Sequence, residues 1–444
     1  MASITSHLIS YLTALKHRFE EWLYCSRTVG KEDTARLHPT LEAFKTFIES
    51  DWKTFQQFHE MFEEVSSTVN YEHDPTGQPI IRDYQTMLYV FDDLMKTAPC
   101  WQYTSDGQKE LVGFPFNAVL AYPMATVAGL HLFSRPDVNQ HIRNILKAWS
   151  AYLDSPASTS VLTNAPKGWL SEEALDAMAR VVTDATPTIP TTFAQAYVCN
   201  PSKSSYGYKS WDDFFTRRWR DGVRPTASPK DSRVICNTCE SSPYRTASKV
   251  KLHDSFALKG QPYSLLEMLD NDPLLKQFDG GHVYQAFLSA LSYHRWHAPV
   301  TGKVVKILHI SGTYFLQNAF EGFANLDSTG KPCPDLAAPN NSQAFLCQKA
   351  TRLLIFIKAD DPRIGLMAVL LVGMAEVSSC EAFVKAGQRV EKGQEIGTFH
   401  YGGSTHCLIF RPEVNLRFLP QAPFGHANIP VCSALAILED DKAN

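Results

Sequence analysis

The first half of the chain repeats its large apolar side chains at three- and four-residue steps. Leu41, Phe44, Phe47, Ile48, Phe55, Phe58 and Phe62 recur at the spacing of a buried helix face. Met87, Tyr89, Phe91 and Met95 predict a second helix that ends near Pro99. Similar spacings run from Val127 to Leu153, with Pro136 as a boundary because proline interrupts a helix. Ser171-Glu-Glu-Ala reads as an N-cap followed by first-turn acids, opening a helix through Val182. All this periodicity predicts packing rather than chemistry.

The pattern then changes. Residues 184–207 are rich in Thr, Pro, Ser and Gly and read as a loop or linker. Beyond Arg224-Pro225 the apolar positions come in short unbroken runs. Lys303-Val-Val-Lys-Ile-Leu-His-Ile, Arg352-Leu-Leu-Ile-Phe-Ile and Leu366-Met-Ala-Val-Leu-Leu-Val predict strands. Glycines at 387, 393 and 397 punctuate the stretch from Val384 to Phe399 like the tight turns of a small β-sandwich. A strand ending near His400 leads into Gly402-Gly403-Ser404-Thr405. The chain therefore reads as α+β, with a helical N-terminal domain over 1–200 and a mainly β domain over 205–444.

Composition narrows the function classes. A chain of 444 residues exceeds one ordinary core, in keeping with two domains. Its 44% hydrophobic and 20% charged residues are those of a globular protein. The formal net charge of -4 argues against a general nucleic-acid binder, so no nucleic-acid partner is expected. No apolar run reaches the ~18 residues of a membrane-spanning helix. The best candidate, Leu353 to Val377, is broken by Lys358, Asp360, Asp361 and Arg363, so no integral membrane segment is expected. The N-terminus shows no basic region followed by an apolar core, and a cytoplasmic location is expected. Ten scattered cysteines read as reduced thiols. Cys236 and Cys239 form one CxxC without the second pair that a zinc site requires, and no metal ligand set is assigned.

The Gly403-Ser404 bond suits self-cleavage. Ser404 would attack the carbonyl of Gly403 and turn the amide into an ester. Elimination and hydrolysis would then leave a pyruvoyl group on the new N-terminus. That ketone forms a Schiff base with amines, as a bound aldehyde cofactor does. Gly403 has no side chain to obstruct the attack. Taken alone, the four residues fit an ordinary turn equally well. The reaction also needs a base, for which histidine is suited at neutral pH. Tyr293-His294-Arg295-Trp296-His297-Ala298-Pro299 offers two histidines three residues apart.

This last block, followed by Gly302-Lys-Val, resembles the YHRxHxP signature of the phosphatidylserine decarboxylase family. Asp213-Phe214-Phe215-Thr216-Arg217-Arg218 and then Arg224-Pro225 resemble its FFxR and RP elements. Lys259-Gly260-Gln-Pro-Tyr263-Ser264-Leu265 resembles its KGxxYSL stretch. Gly393-Gln-Glu395-Ile396-Gly397-Thr-Phe399 followed by Gly402-Gly403-Ser404-Thr405 resembles its processing motif. The blocks stand in the family's order over about residues 205–444.

The resemblance implies a role for each matching position. Ser404 is the self-cleavage nucleophile and then carries the pyruvoyl cofactor; pyridoxal phosphate is not required. His297 is the base that activates Ser404, and His294 assists decarboxylation. The family's acid lies in a PADG-like motif, whose place is taken here by Asn237-Thr238-Cys239-Glu240-Ser241. Glu240 would then pair with His297, its reach longer than aspartate's by one carbon. The helical half, with Gly168-Trp169-Leu170-Ser171, is similar to that of soluble tryptophan decarboxylases within the family. The implied enzyme decarboxylates an aromatic L-amino acid, L-tryptophan to tryptamine first. Its partners would be that substrate and its own two chains, 1–403 and 404–444.

The alternative within the family is a phosphatidylserine decarboxylase that makes phosphatidylethanolamine at a membrane surface. A biotinyl or lipoyl carrier domain would need a lysine at a hairpin tip, a setting that Lys385 and Lys392 lack. A serine hydrolase would need a GxSxG elbow, which is absent around Ser404.

Overall fold

The computed structural model describes residues 36–68, 80–101, 114–186, 191–253, 263–318, 321–322, 325–326, 330, 332–333, 335, 338–376, 379–401, 404–421, 423 and 427–440. Its described N-terminal part is helical and is followed by a mainly β region, as the pattern predicts. The helices are α1 (Pro39–Ser50), α2 (Trp52–Thr68), α3 (Tyr84–Leu94), α4 (Pro115–Ala125), α5 (Val127–Phe133), α6 (Pro136–Leu153) and α7 (Glu172–Ala185).

The apolar repeat from Leu41 to Phe62 is split between two helices. Asp51 takes an extended conformation, and its carboxylate accepts the Thr54 N–H at 2.9 Å. It caps the start of α2 and so breaks the run. Pro136 stands in the first turn of α6, where its missing N–H is no loss. Ser171 accepts the Ala174 N–H and caps α7. Tyr89 is exposed on α3 and does not belong to its buried face. The supposed linker is partly core. Phe193–Ala196 forms one helical turn, and Phe193 and Tyr197 are buried against the helices.

A short helix, α8 (Trp211–Phe215), leads into the β region. Its strands are β1 (Val234–Cys236), β2 (Ser242–Val250), β3 (Gly281–Leu288), β4 (Arg295–His297), β5 (Gly302–Ile310), β6 (Arg352–Ala359) and β7 (Leu366–Gly373). There follow β8 (Ser379–Ala382), β9 (Arg389–Val390), β10 (Glu395–His400), β11 (Ser404–Phe410), β12 (Leu416–Phe418) and β13 (Ala434–Leu438). The main antiparallel sheet has the order β9-β5-β6-β7-β11-β3-β2. Two three-stranded sheets, β8-β10-β4 and β1-β13-β12, flank it.

Both faces of the central strands β6 and β7 are covered, which is why they read as nearly unbroken apolar runs. Val369, Leu371, Leu408 and Phe410 meet Trp296, Ile396 and Phe399 of the β8-β10-β4 layer. Leu370, Val372, Cys407 and Ile409 meet Tyr263, Met268 and Phe278 on the other side. A third core joins the helices to the β region through Tyr293, Tyr314, Phe315 and Tyr401.

Gly397 keeps the small sheet tight. A Cβ there would fall 2.4 Å from the Glu381 carbonyl oxygen and 2.4 Å from the Trp296 ring. Gly397→Ala is expected to destabilise the fold by about 1–3 kcal/mol through overpacking, measured by denaturant unfolding. A wild-type midpoint would show that this contact yields freely.

Candidate active site

Ser404 is the first residue of β11. It is paired with Leu288 of β3 and Gly373 of β7, so it heads a strand bonded along both edges. The residue is fully buried, and its Oγ has no hydrogen-bond partner. Gly402 and Gly403 lie outside the described residues, as do Lys259 and Gly260.

The next residue is held on the opposite face. Thr405 Oγ1 donates to the Ala286 carbonyl at 2.9 Å and accepts from Gln285 Nε2 at 3.1 Å. Tyr263 donates its hydroxyl to Gln285 Oε1 at 2.7 Å, which orients the amide. Tyr263 comes from the KGxxYSL-like block, and this clamp gives it a physical task.

His294 reaches the same end of the sheet. Leu288, the partner of Ser404, ends β3, and the turn from Ser289 to Ser292 delivers His294. Its ring stacks on Phe215 of α8 with centroids 3.9 Å apart. The backbone of Ser289 and of Phe215 lies close enough to act on the ring, but neither ring nitrogen makes a well-aligned hydrogen bond. Burial holds its pKa well below the usual histidine range, and the Arg217 cation adds to the effect. The imidazole is therefore neutral, with one nitrogen open to donate and one to accept.

His297 is wired differently. Its Nδ1 donates to the Gly393 carbonyl at 2.8 Å, and its Nε2 accepts the Tyr293 hydroxyl at 3.0 Å. Gly393 has a φ of +83°, and a Cβ there would strike Thr226 Oγ1 at 2.0 Å. Only glycine offers its carbonyl at that spot without strain. Burial lowers the His297 pKa against the pull of that carbonyl and of Glu395.

The expected pairing of Glu240 with His297 is not formed. Glu240 is buried and accepts Arg224 NH2 at 2.5 Å and the Val431 N–H at 2.8 Å. Both His297 nitrogens are engaged elsewhere. The extra carbon of glutamate serves a contact with the arginine of the RP element instead.

Two more arginines lock the motif blocks together. Arg217 donates to the Leu291 and Ser292 carbonyls at 2.6 and 3.0 Å, just before His294. Arg295 donates to the Thr216 carbonyl at 2.6 Å and to Glu395 at 2.6 Å. On the N-terminal side of Ser404, His400 Nδ1 meets Asp212 at 3.0 Å and its Nε2 meets Glu381 at 3.1 Å. Burial opposes its charge, but the two carboxylates raise its pKa. Tyr401 donates to Asp154 at 3.2 Å and lies against Trp149 of α6, 6.4 Å between centroids.

Reading the sequence for motifs passed over His406. It lies two residues beyond Ser404 on the same face of β11, so strand alternation alone would have flagged it. It is fully buried, with both ring nitrogens unpartnered. Burial pushes its pKa down to about 3, so it is neutral. Among the described residues no group of three metal-ligating side chains is found.

Two phosphatidylserine decarboxylase family models match the chain, over residues 38–178 and 211–422. Decarboxylase iboD of Amanita muscaria is 41% identical over 323 residues, 70% of this chain and 88% of that protein. The L-tryptophan decarboxylase of Psilocybe cubensis is 35% identical over 385 residues, 84% of this chain and 80% of that protein. The chain belongs to the phosphatidylserine decarboxylase family. The family's phosphatidylserine decarboxylase proenzyme 3 of Schizosaccharomyces pombe is more distant, 26% identical over 217 residues, 47% of this chain and 19% of that protein. Within the family this chain is a decarboxylase, a carboxy-lyase. Self-cleavage and a pyruvoyl group are features of the family as a whole.

Removing one partner of a buried ion pair costs about 3–5 kcal/mol because the other charge is stranded. Glu240→Gln is expected to lose stability on that scale, measured by denaturant unfolding. Unchanged stability with lost cleavage would instead return Glu240 to a role at His297.

Proposed function

We propose that this decarboxylase cuts itself between Gly403 and Ser404 and then acts on an aromatic L-amino acid, L-tryptophan to tryptamine first. The observation that carries this reading is the buried, unpartnered Ser404 hydroxyl at the head of β11. Phe116, Trp149, Tyr314, Phe315 and Tyr401 belong to the core that joins the helices to this region. Such a surround suits an aromatic side chain and limits water. The similarity to the Psilocybe cubensis L-tryptophan decarboxylase over most of both chains supports the same substrate.

The residues fit a pyruvoyl group at position 404. The hydroxyl consumed in making it bonds to nothing else, and the Thr405 clamp fixes the neighbouring amide. A pyruvoyl group supplies an electrophilic carbonyl that takes up a primary amine and draws in the electron pair released with carbon dioxide. His297 is the base for Ser404 in this reading, and its Nε2 must first release the Tyr293 hydroxyl. His294, with no side-chain partner at either ring nitrogen, holds the proton for the substrate α-carbon. Cleavage leaves chains 1–403 and 404–444 joined by strand pairing.

Intact mass should find two chains, the shorter one blocked to Edman degradation. Ser404→Ala should give one uncut, inactive chain, and a cut variant would overturn the processing site. His297→Ala should stay uncut, whereas His294→Ala should cut and lose decarboxylation by at least about 100-fold. The reverse pattern would exchange their roles.

Phosphatidylserine is the competing substrate, favoured by the description of both matching models. Among the described residues no helix is long and apolar enough to cross a membrane. Carbon dioxide release from tryptophan, tyrosine, phenylalanine and phosphatidylserine decides between them. Release from tryptophan is expected, and release only from the lipid would sink the amino-acid reading.

A further inference from the structure

Glu376 is the buried acid that the site description leaves unused. It follows Gly373, the β7 partner of Ser404, by three residues. Ala375 between them has a φ of 52°, a left-handed conformation that is uncommon for a residue with a side chain. This turn sends Glu376 beneath the N-terminus of α4, where Oε1 accepts the Asn117 N–H at 2.7 Å. Phe116 beside it packs on Trp149, 5.0 Å between centroids, and Trp149 in turn meets Tyr401. Glu376 is thus tied to the Ser404 region from β7 and again through α4 and α6.

Its charge is unmatched. Glu376 is fully buried, and Oε2 has no partner. Every other buried acid among the described residues faces a base: Asp92 Lys96, Asp212 His400, Glu240 Arg224, Asp272 Lys306, Asp361 Arg363. Burying a carboxylate without such a partner is costly, and here burial pushes its pKa up to about 8. The backbone N–H groups of Asn117, Glu376 itself and Phe116 ease that cost, but no cation does.

We propose that Glu376 receives the α-ammonium of the substrate on Oε2, where the arriving cation drives the carboxyl's own proton out to solvent, and that the carboxylate so formed then takes a proton from the ammonium. This rests on the amino-acid reading above. An α-amino acid arrives as a cation at nitrogen, and that nitrogen has no lone pair to react with until it loses a proton. Transfer to Oε2 breaks one N–H bond and forms one O–H bond. Two opposite charges become a neutral amine and a neutral carboxylic acid, a change that a dry site favours.

Binding to the uncut Ser404→Ala protein tests this without turnover. Calorimetry would compare L-tryptophan with indole-3-propionate, which keeps the indole and the carboxylate but lacks the ammonium. Adding Glu376→Gln, which can still accept the Asn117 N–H, should weaken tryptophan at least tenfold and indole-3-propionate less than twofold. Glu376→Asp, which keeps the charge, should recover part of the loss and guards against a folding defect. Equal effects on both ligands would overturn the proposal and leave the tryptophan reading standing. If Ser404→Ala binds neither ligand, the tryptophan reading fails. O-phospho-L-serine against its N-acetyl derivative then decides Glu376 by the same criterion, and equal effects there would overturn it.

Discussion

Residues 404–410 pair with β3 on one side and β7 on the other, through the full length of the strand. Backbone groups this deep in the molecule need such partners, and both edges supply them. Ser404 is therefore presented by a rigid element rather than by a loop. The faces of the strand divide the work. Thr405 points to the Gln285 and Tyr263 clamp, while Ser404 and His406 share the face toward the small sheet. One backbone register sets Ser404, the Thr405 anchor and the His406 imidazole together.

Arg217, Arg224 and Arg295 are held in the interior or close to it. Each donates to carbonyls or a carboxylate of another segment. These contacts draw the α8 segment, the RP element and the histidine block into one body. They also explain why His294 and His297 behave differently although three residues apart. His294 is steadied by stacking and by the Arg217-held turn, and no side chain occupies its nitrogens. His297 spends both nitrogens on fixing its own ring.

Much of this was legible in the sequence. The runs at 352 and 366 were plain because strands covered on both faces need apolar residues at nearly every position, and the run at 303 because its aliphatic residues favour a strand although Lys303, Val305 and His309 are exposed. Ser171 was plain because capping is local chemistry. Asp51 hid a helix break, since the repeat carries on past it. Helix α4 escaped notice because Phe116, Ala118, Leu120, Tyr122 and Met124 are buried around its circumference, which erases any periodicity. Polar composition around 184–207 concealed Phe193 and Tyr197, which reach the core from an otherwise loop-like stretch.

The site was legible to a different depth. Ser404 and the two histidines carry recognisable spacing. The partner of Glu240 depends on which segments meet in space, and Arg224, sixteen residues earlier, reaches it before His297 does. Glu376 closes an apolar stretch from Leu366 to Ala375, but nothing in the local sequence names its neighbours. Its surroundings come from β7 and α4, more than 250 residues apart in the chain.

The segment after Gly403 contains β11, at the interior of the main sheet, and also β12 and β13, of which β13 pairs with β1. A chain lacking it would leave β3 and β7 with bare edges and a missing slice of two cores. The uncut polypeptide must then assemble before its backbone is opened. Under the proposed processing, a reactive ketone forms only on molecules that have already reached the native arrangement. Each copy would thus arm itself after passing a test of its own folding, and misfolded copies would stay chemically inert.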